Sequence, residues 1–310
     1  MLSRRFHMLF LLIGVWLVCQ CAGTSYAAQR DSAGTQLYAF GLHLFDLGEY
    51  YRAVTELKRF TLIFPRHQQH TAGQILLGLA LQEDGLYDDA FIYFRRLRQR
   101  HEQRAVGRLA NFKLGELHFQ QRRYREAIVH FQQFLQTFPD GSLVPRTTYL
   151  LGLSWALDGQ LDQAQRALDT VPVEHALGAQ ARALQQDLKT PPTPRKSPRT
   201  ARLLAGLLPG AGHVYLGKPV QGLTAFLLNG LFITGAVFAL REELYATGAI
   251  LLYFETGWYL GNMKSAADGA RAANRQQRRA FAEHLRTTYR LPNLSLRDLQ
   301  APGFGLRFAF

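Results

Sequence analysis

Ten histidines offer the most chemistry in this chain, so their spacing is weighed first. His43, His67, His70, His101, His118, His130 and His175 are scattered over more than 130 residues, and none belongs to a His-Glu-x-x-His or similar ligand pattern. They read as histidines on helix surfaces, and no metal is expected. Gly210-x-Gly212 precedes an apolar stretch and not a βαβ unit, so it reads as a turn and not a phosphate cradle. There is no nucleophile elbow and no Walker loop. The expectation is a non-enzymatic chain with no cofactor and no small-molecule substrate. Two polar residues stand in apolar surroundings, Asn229 and Glu255. An ionisable group in lipid is costly and needs a partner or a task. Two alternatives stay open for Glu255: a working group, or a neutral acid that holds two helices together by hydrogen bonds, with Asn229 as the natural contact.

Charge is distributed unevenly over the 310 residues, whose formal net charge is +13. Residues 31–187 hold 17 basic and 17 acidic residues, whereas residues 188–310 hold 16 and 6. The basic excess therefore lies beside the apolar C-terminal stretches. That placement suits anionic lipid headgroups and gives no folded soluble face for nucleic acid. At the N-terminus, Arg4 and Arg5 precede an apolar run from Met8 to Val18, and Ser25-x-Ala27 follows. This is the layout of a secretory signal over residues 1–27, cleaved after Ala27. Both cysteines, Cys19 and Cys21, fall inside it without a good lipobox, so the mature chain is expected to lack thiol chemistry.

An internal repeat dominates the next segment. Glycines stand at 41, 78, 115 and 152 and alanines at 53, 90, 127 and 164, each set 37 apart. Between them lie Gly48-x-Tyr50, Gly85-x-Tyr87, Arg122-x-Tyr124 and Gly159-x-Leu161. Apolar residues at spacings of three and four mark two helices per unit, A and B, and the small residues let them approach closely. A single hairpin cannot bury its own apolar stripe, so the units must stack. Four hairpins and a capping helix are expected over residues 34–188.

The Gly and Ala positions, with Tyr149-Leu150-Leu151-Gly152 and Phe112-Lys113-Leu114-Gly115-Glu116, resemble the tetratricopeptide repeat. The 37-residue period is similar to the longer repeats of bacterial envelope proteins, such as the Tol–Pal-associated coordinator of cell-wall synthesis and the barrel-assembly lipoprotein. The resemblance implies a solenoid that binds proteins on the inner face of its A helices. Tyr38, Ile75, Phe112 and Tyr149, three residues before each glycine, together with Phe45 and Phe119, are the expected partner-binding aromatic and apolar ladder. The alternative is that these side chains only pack between repeats.

Residues 189–202 carry four prolines and five basic residues and read as a stiff linker. Val220–Leu240 has no charge over 21 residues, and Leu244–Met263 carries only Glu255. Both are long enough to span a bilayer, and Gly257-x-x-x-Gly261 offers a close-packing face. Leu203–Leu216, broken by Pro209, is too short to cross and reads as interfacial or re-entrant. The segment Pro209-Gly210-Ala211-Gly212-His213-Val214-Tyr215-Leu216-Gly217 resembles the opening of small bacterial two-span membrane domains, which implies a membrane hairpin over residues 203–275. A basic tail over 276–310 follows. Its end, Leu306 to Phe310, alternates like a barrel strand, but one such strand cannot close a barrel.

The expected fold is all-α, a solenoid of four hairpins joined to a two-helix transmembrane module. The expected function is a scaffold of the bacterial cell envelope, anchored in the inner membrane with its repeats in the periplasm. Its partners are proteins and membrane lipid. The alternative is a structural subunit of a membrane transport or insertion complex that acts through the two-span module. Two exported spans leave the basic segments outside, against the preference for positive charge inside.

Overall fold

The computed structural model describes residues 29–102, 104–292 and 294. The expected signal segment, 1–27, and the alternating end, 306–310, lie outside the described residues. Among those residues there are thirteen helices and no strand. The chain divides into two compact units, Met1–Gln185 with Leu291–Phe310, and Gln186–Arg290.

In the first unit, helix α1 covers residues 29–46. It is followed by α2 (Tyr50–Ile63), α3 (His70–Glu83), α4 (Tyr87–Arg100), α5 (Ala105–Gln120), α6 (Tyr124–Thr137), α7 (Val144–Leu157), α8 (Leu161–Asp169) and α9 (Gly178–Lys189). The unit boundary falls within α9. Odd and even members up to α8 pair as hairpins, and the glycines show why. A Cβ on Gly41 would meet Leu57, on Gly78 Phe94, on Gly115 Phe131 and on Gly152 Leu168, all within 2.9 Å. Each glycine is therefore the floor on which one large side chain of the partner helix rests. Those four side chains are fully or almost fully buried, as are Ala53, Ala90, Ala127 and Ala164.

The turns inside the hairpins repeat as well. Gly48, Gly85, Arg122 and Gly159 all adopt positive φ, between 60° and 85°. Glycine takes this conformation without cost, and arginine at the third position does not.

The second unit holds α10 (Pro198–Leu207), α11 (Ala211–Tyr215), α12 (Pro219–Arg241) and α13 (Tyr245–Thr288). Ser197 caps α10 by accepting from the Thr200 backbone N–H at 3.2 Å. Part of the segment expected as linker is thus helical from Pro198 onward. Ala201 and Ala205 of α10 pack on Ala266 and Ala270 of α13, with no exposed surface on any of the four. Gly212 of α11 sits in the same contact, where a Cβ would lie 2.3 Å from the Ala201 carbonyl oxygen. Gly210 reverses the chain with φ +88°, and a Cβ there would lie 2.0 Å from the Gly222 carbonyl oxygen. The Pro-Gly-x-Gly segment is therefore a crowded reversal between two short helices, and residues 203–216 form no continuous span.

Helices α12 and α13 form an antiparallel hairpin. At 44 residues, α13 is about 66 Å long and extends well beyond α12. Among the described residues, α12 is the one helix long and apolar enough to cross a membrane. Much of its apolar surface is exposed, at Val220, Leu231 and Phe238 among others. The stretch 244–263 of α13 falls short of that measure, because Glu255, Asn262 and several Thr, Gly and Tyr residues dilute its apolar character.

Candidate partner-binding site

An α-helix turns about 100° per residue, so a residue three before a repeat glycine lies only about 60° from it. Those glycines face helix B, and so do their neighbours three back. Tyr38, Ile75, Phe112 and Tyr149 are accordingly buried, all at 2 % exposure or less. Tyr38 lies 5.5 Å from the Phe60 ring, and Phe112 lies 6.1 Å from Phe131 and 6.2 Å from Phe134. Phe45 and Phe119 are half-buried and serve a different place. Each meets the tyrosine that opens the next helix edge-on, Tyr50 at 5.3 Å and Tyr124 at 5.7 Å. The six side chains do not form one open ladder.

The face of helix A turned away from helix B is reached two residues either side of each glycine, about 160–200° round. In the first hairpin these positions, Ala39 and His43, are exposed. Their equivalents in the next three are buried: Leu76 and Ala80, Lys113 and Leu117, Leu150 and Ser154. Lys113 has no exposed surface although it carries a charge. Its Nζ donates to Glu116 Oε2 at 2.5 Å, and Arg146 of α7 approaches Glu116 Oε1 at 3.5 Å. Burial pushes the Glu116 carboxyl up, but the Lys113 and Arg146 charges outweigh it and hold the group below the usual carboxylate range. Arg146 also donates to the carbonyl oxygen of Pro292, in the stretch that follows the second unit. Leu291 and Leu294 beside it are buried. The Lys113–Glu116–Arg146 group did not emerge from sequence reasoning. Its signal was present, since Lys113 and Glu116 stand where neighbouring repeats have Leu76 and Leu79, and Leu150 and Leu153.

The histidines are not gathered into a ligand set; among the described residues no three potential metal ligands cluster. His118 and His130 stack at 5.1 Å beside Phe91. Burial, then the His118 and Arg98 charges, lowers the His130 imidazole to about 4.

In the second unit, Asn229 and Glu255 are both buried. A Cβ on Gly248 would meet Leu240 and the Ala236 carbonyl, which sets the register of the hairpin. Two turns further from the bend, that register brings Asn229 of α12 level with Glu255 of α13. Asn229 Nδ2 donates to the Ala225 carbonyl at 2.6 Å. Its Oδ1 and both Glu255 oxygens have no hydrogen-bond partner among the described residues.

Comparison with known proteins bears on the repeats. The family model described as tetratricopeptide repeat matches residues 75–142 and 112–172. A search of curated proteins finds no match. Among solved structures, the chain is similar to a tetratricopeptide repeat protein from Parabacteroides merdae, at 13 % identity and TM-score 0.42, over 76 % of this chain and 98 % of that one. It is similar to the apo form of RapI at 12 % identity and TM-score 0.42, over 80 % and 66 %. A double mutant of MamA RS-1 matches at 17 % identity and TM-score 0.38, over 50 % and 94 %. Residues 75–172 thus carry repeats of the tetratricopeptide type, a helical fold suited to protein–protein contact.

Proposed function

We propose that the chain is a non-enzymatic, membrane-anchored scaffold whose repeat groove holds an extended polypeptide segment. The observation that carries this reading is the hydrogen bond from Arg146 of α7 to the Pro292 carbonyl oxygen, between the buried Leu291 and Leu294. Recognition of a carbonyl with flanking apolar anchors is how a groove takes an extended chain without reading much of its sequence. The buried Lys113–Glu116 pair holds Arg146 from below, so its guanidinium is positioned before a ligand arrives. The chain's own C-terminal stretch is then a resident ligand that a partner displaces.

The anchor is the α12–α13 hairpin, with α12 and the apolar half of α13 in the lipid. The N-terminal export signal supports an envelope location, with the repeats in the periplasm and the hairpin in the bacterial inner membrane. The second reading, a subunit of a transport or insertion complex, draws on Asn229 Oδ1 and Glu255, which are buried in the hairpin and have no hydrogen-bond partner among the described residues.

The groove is tested with the chain ended at Arg290 and held in detergent, and a labelled peptide of residues 291–310. Saturable binding by fluorescence anisotropy is expected, weakened at least about tenfold by Arg146→Ala, since charge-assisted hydrogen bonds contribute about 1.5–3 kcal/mol. The full-length chain should bind the added peptide poorly. Absence of binding to the shortened chain, or equal binding by R146A, sinks the groove reading.

A further inference from the structure

Two cavities meet at the open end of the α12–α13 hairpin. One, of about 630 Å³, is polar and is lined by Lys218, Lys264, Asp268 and Arg275 among others. The other, of about 1190 Å³, is mostly apolar and runs along the hairpin between residues such as Ala225, Leu228, Leu252 and Trp258. They share His213, Gln221, Gly261 and Ser265. The seam register that pairs Ala236 with Gly248 brings Pro219 level with Ser265, so the polar cavity lies where α12 begins. The apolar one extends from there toward the bend.

The charges in the polar cavity are unbalanced. Asp268 is paired with Arg271 at 2.6 Å. Lys218, Lys264 and Arg275 have no ion-pair partner among the described residues. His213 lies at the junction of the two cavities and is 8 % exposed. Its Nε2 lies 3.3 Å from Ser265 Oγ, and its Nδ1 has no hydrogen-bond partner among the described residues. An unpaired buried ring nitrogen, three free cations and an adjoining apolar groove call for one kind of occupant. It carries an anionic head and a long apolar chain.

We propose that this end of the hairpin binds an anionic phospholipid, its phosphate held by Lys218, Lys264 and Arg275 and one acyl chain laid along the apolar groove. The site rests on the reading that α12 and α13 lie in a membrane. The polar cavity then sits at headgroup level and the groove at acyl level, in the order a lipid requires. A soluble phosphate compound would use the cations and leave the groove empty.

The test uses the full chain in nanodiscs of phosphatidylcholine with a minor share of phosphatidylglycerol, followed by native mass spectrometry of the lipid retained. Retained phosphatidylglycerol should exceed its bulk share by about tenfold, as expected for several cations acting together near a surface. Lys218→Gln with Lys264→Gln should bring it near the bulk share. Arg278→Gln with Arg279→Gln, an equal loss of charge on an exposed part of α13 outside the cavity, should leave it unchanged. Thr224→Trp should reduce retention with every cation intact, because it fills the groove. Equal effects of the two charge pairs, or full retention by T224W, overturn the site. Comparable binding of glycerol phosphate overturns the lipid assignment. A chain that enters phosphatidylcholine nanodiscs but shows no enrichment refutes the site alone, whereas a chain that enters none refutes the membrane reading beneath it.

Discussion

Phe112 and Tyr149 show how a one-position error in helical phase changes the meaning of a residue. Counted along the sequence, both read as groove aromatics. Counted around the helix, they lie on the glycine side and are enclosed by helix B, with no exposed surface. Phe112→Ala and Tyr149→Ala should therefore each cost about 3–5 kcal/mol and lower the melting temperature clearly. The fraction that stays folded should bind the 291–310 peptide as before; unchanged melting with lost binding would restore them to the groove. His130 carries a pH dependence whose sign follows from its lowered imidazole pKa, about 4 against an ordinary 6.5. Above pH 6.5 the ring is neutral in both folded and unfolded chains and contributes nothing. As pH falls from 6.5 toward 4, the unfolded chain takes up a proton that the folded one resists, so stability is lost across that window. Melting scans should show the loss, and His130→Gln should flatten it. A wild-type curve flat between pH 6.5 and 4 would sink this assignment. At this scale the sequence exposed the anomaly of Lys113 and Glu116 among leucines but not its meaning. Only the fold shows that Arg146, thirty residues on, closes the group.

The hairpins were legible because their period is set by packing that the residue types disclose. A glycine that must receive Leu57, Phe94, Phe131 or Leu168 tolerates no substitute, so it recurs in phase with the chain. The turn glycines recur for another reason, positive φ, and the one departure is Arg122 at φ 60°. An L residue there costs about 1–2 kcal/mol, part of which glycine returns through a more flexible unfolded chain. Arg122→Gly should thus raise stability by about 0.5–1 kcal/mol, measurable by denaturant titration of the repeat chain. Destabilisation would mean that the arginine side chain holds the turn by contacts that outweigh its backbone strain. The second unit was less legible at this scale. Composition marked two apolar stretches, but one 44-residue helix carries the second of them straight into a basic extension. Nothing in the periodicity marks where such a helix leaves an apolar surrounding. The Pro-Gly-x-Gly segment was readable as a turn, while its crowding against Ala201 and Gly222 depends on neighbours far along the chain.

Sidedness is the property of the whole molecule on which the scaffold reading turns. The hydrogen bond from Arg146 to the Pro292 carbonyl can form only if residues after α13 return to the side on which the repeats lie. On the proposed membrane-anchored reading, the chain between them then crosses a bilayer an even number of times. Residues 203–216 reverse at Gly210 and provide no crossing, so the proposed reading takes α12 and the apolar half of α13 as the pair. The preference for positive charge inside favours the opposite arrangement, because the turn Arg241-Glu242-Glu243 holds one basic residue and the extension of α13 holds many. On the proposed reading, the hold of the groove on Pro292 and the expected N-terminal export signal act against that preference together. The expected removal of the signal after Ala27 would take both cysteines with it, so single cysteines introduced afterwards would report cleanly. Gln160, Glu242 and Arg279 are all exposed and suit the purpose. In cells with a permeabilised outer membrane, an impermeant maleimide should label Gln160→Cys and Arg279→Cys and spare Glu242→Cys. Labelling at Gln160 with protection at Arg279 would mean an odd number of crossings. The groove could not then hold the chain's own C-terminal stretch, and its occupant would have to be another molecule from the start.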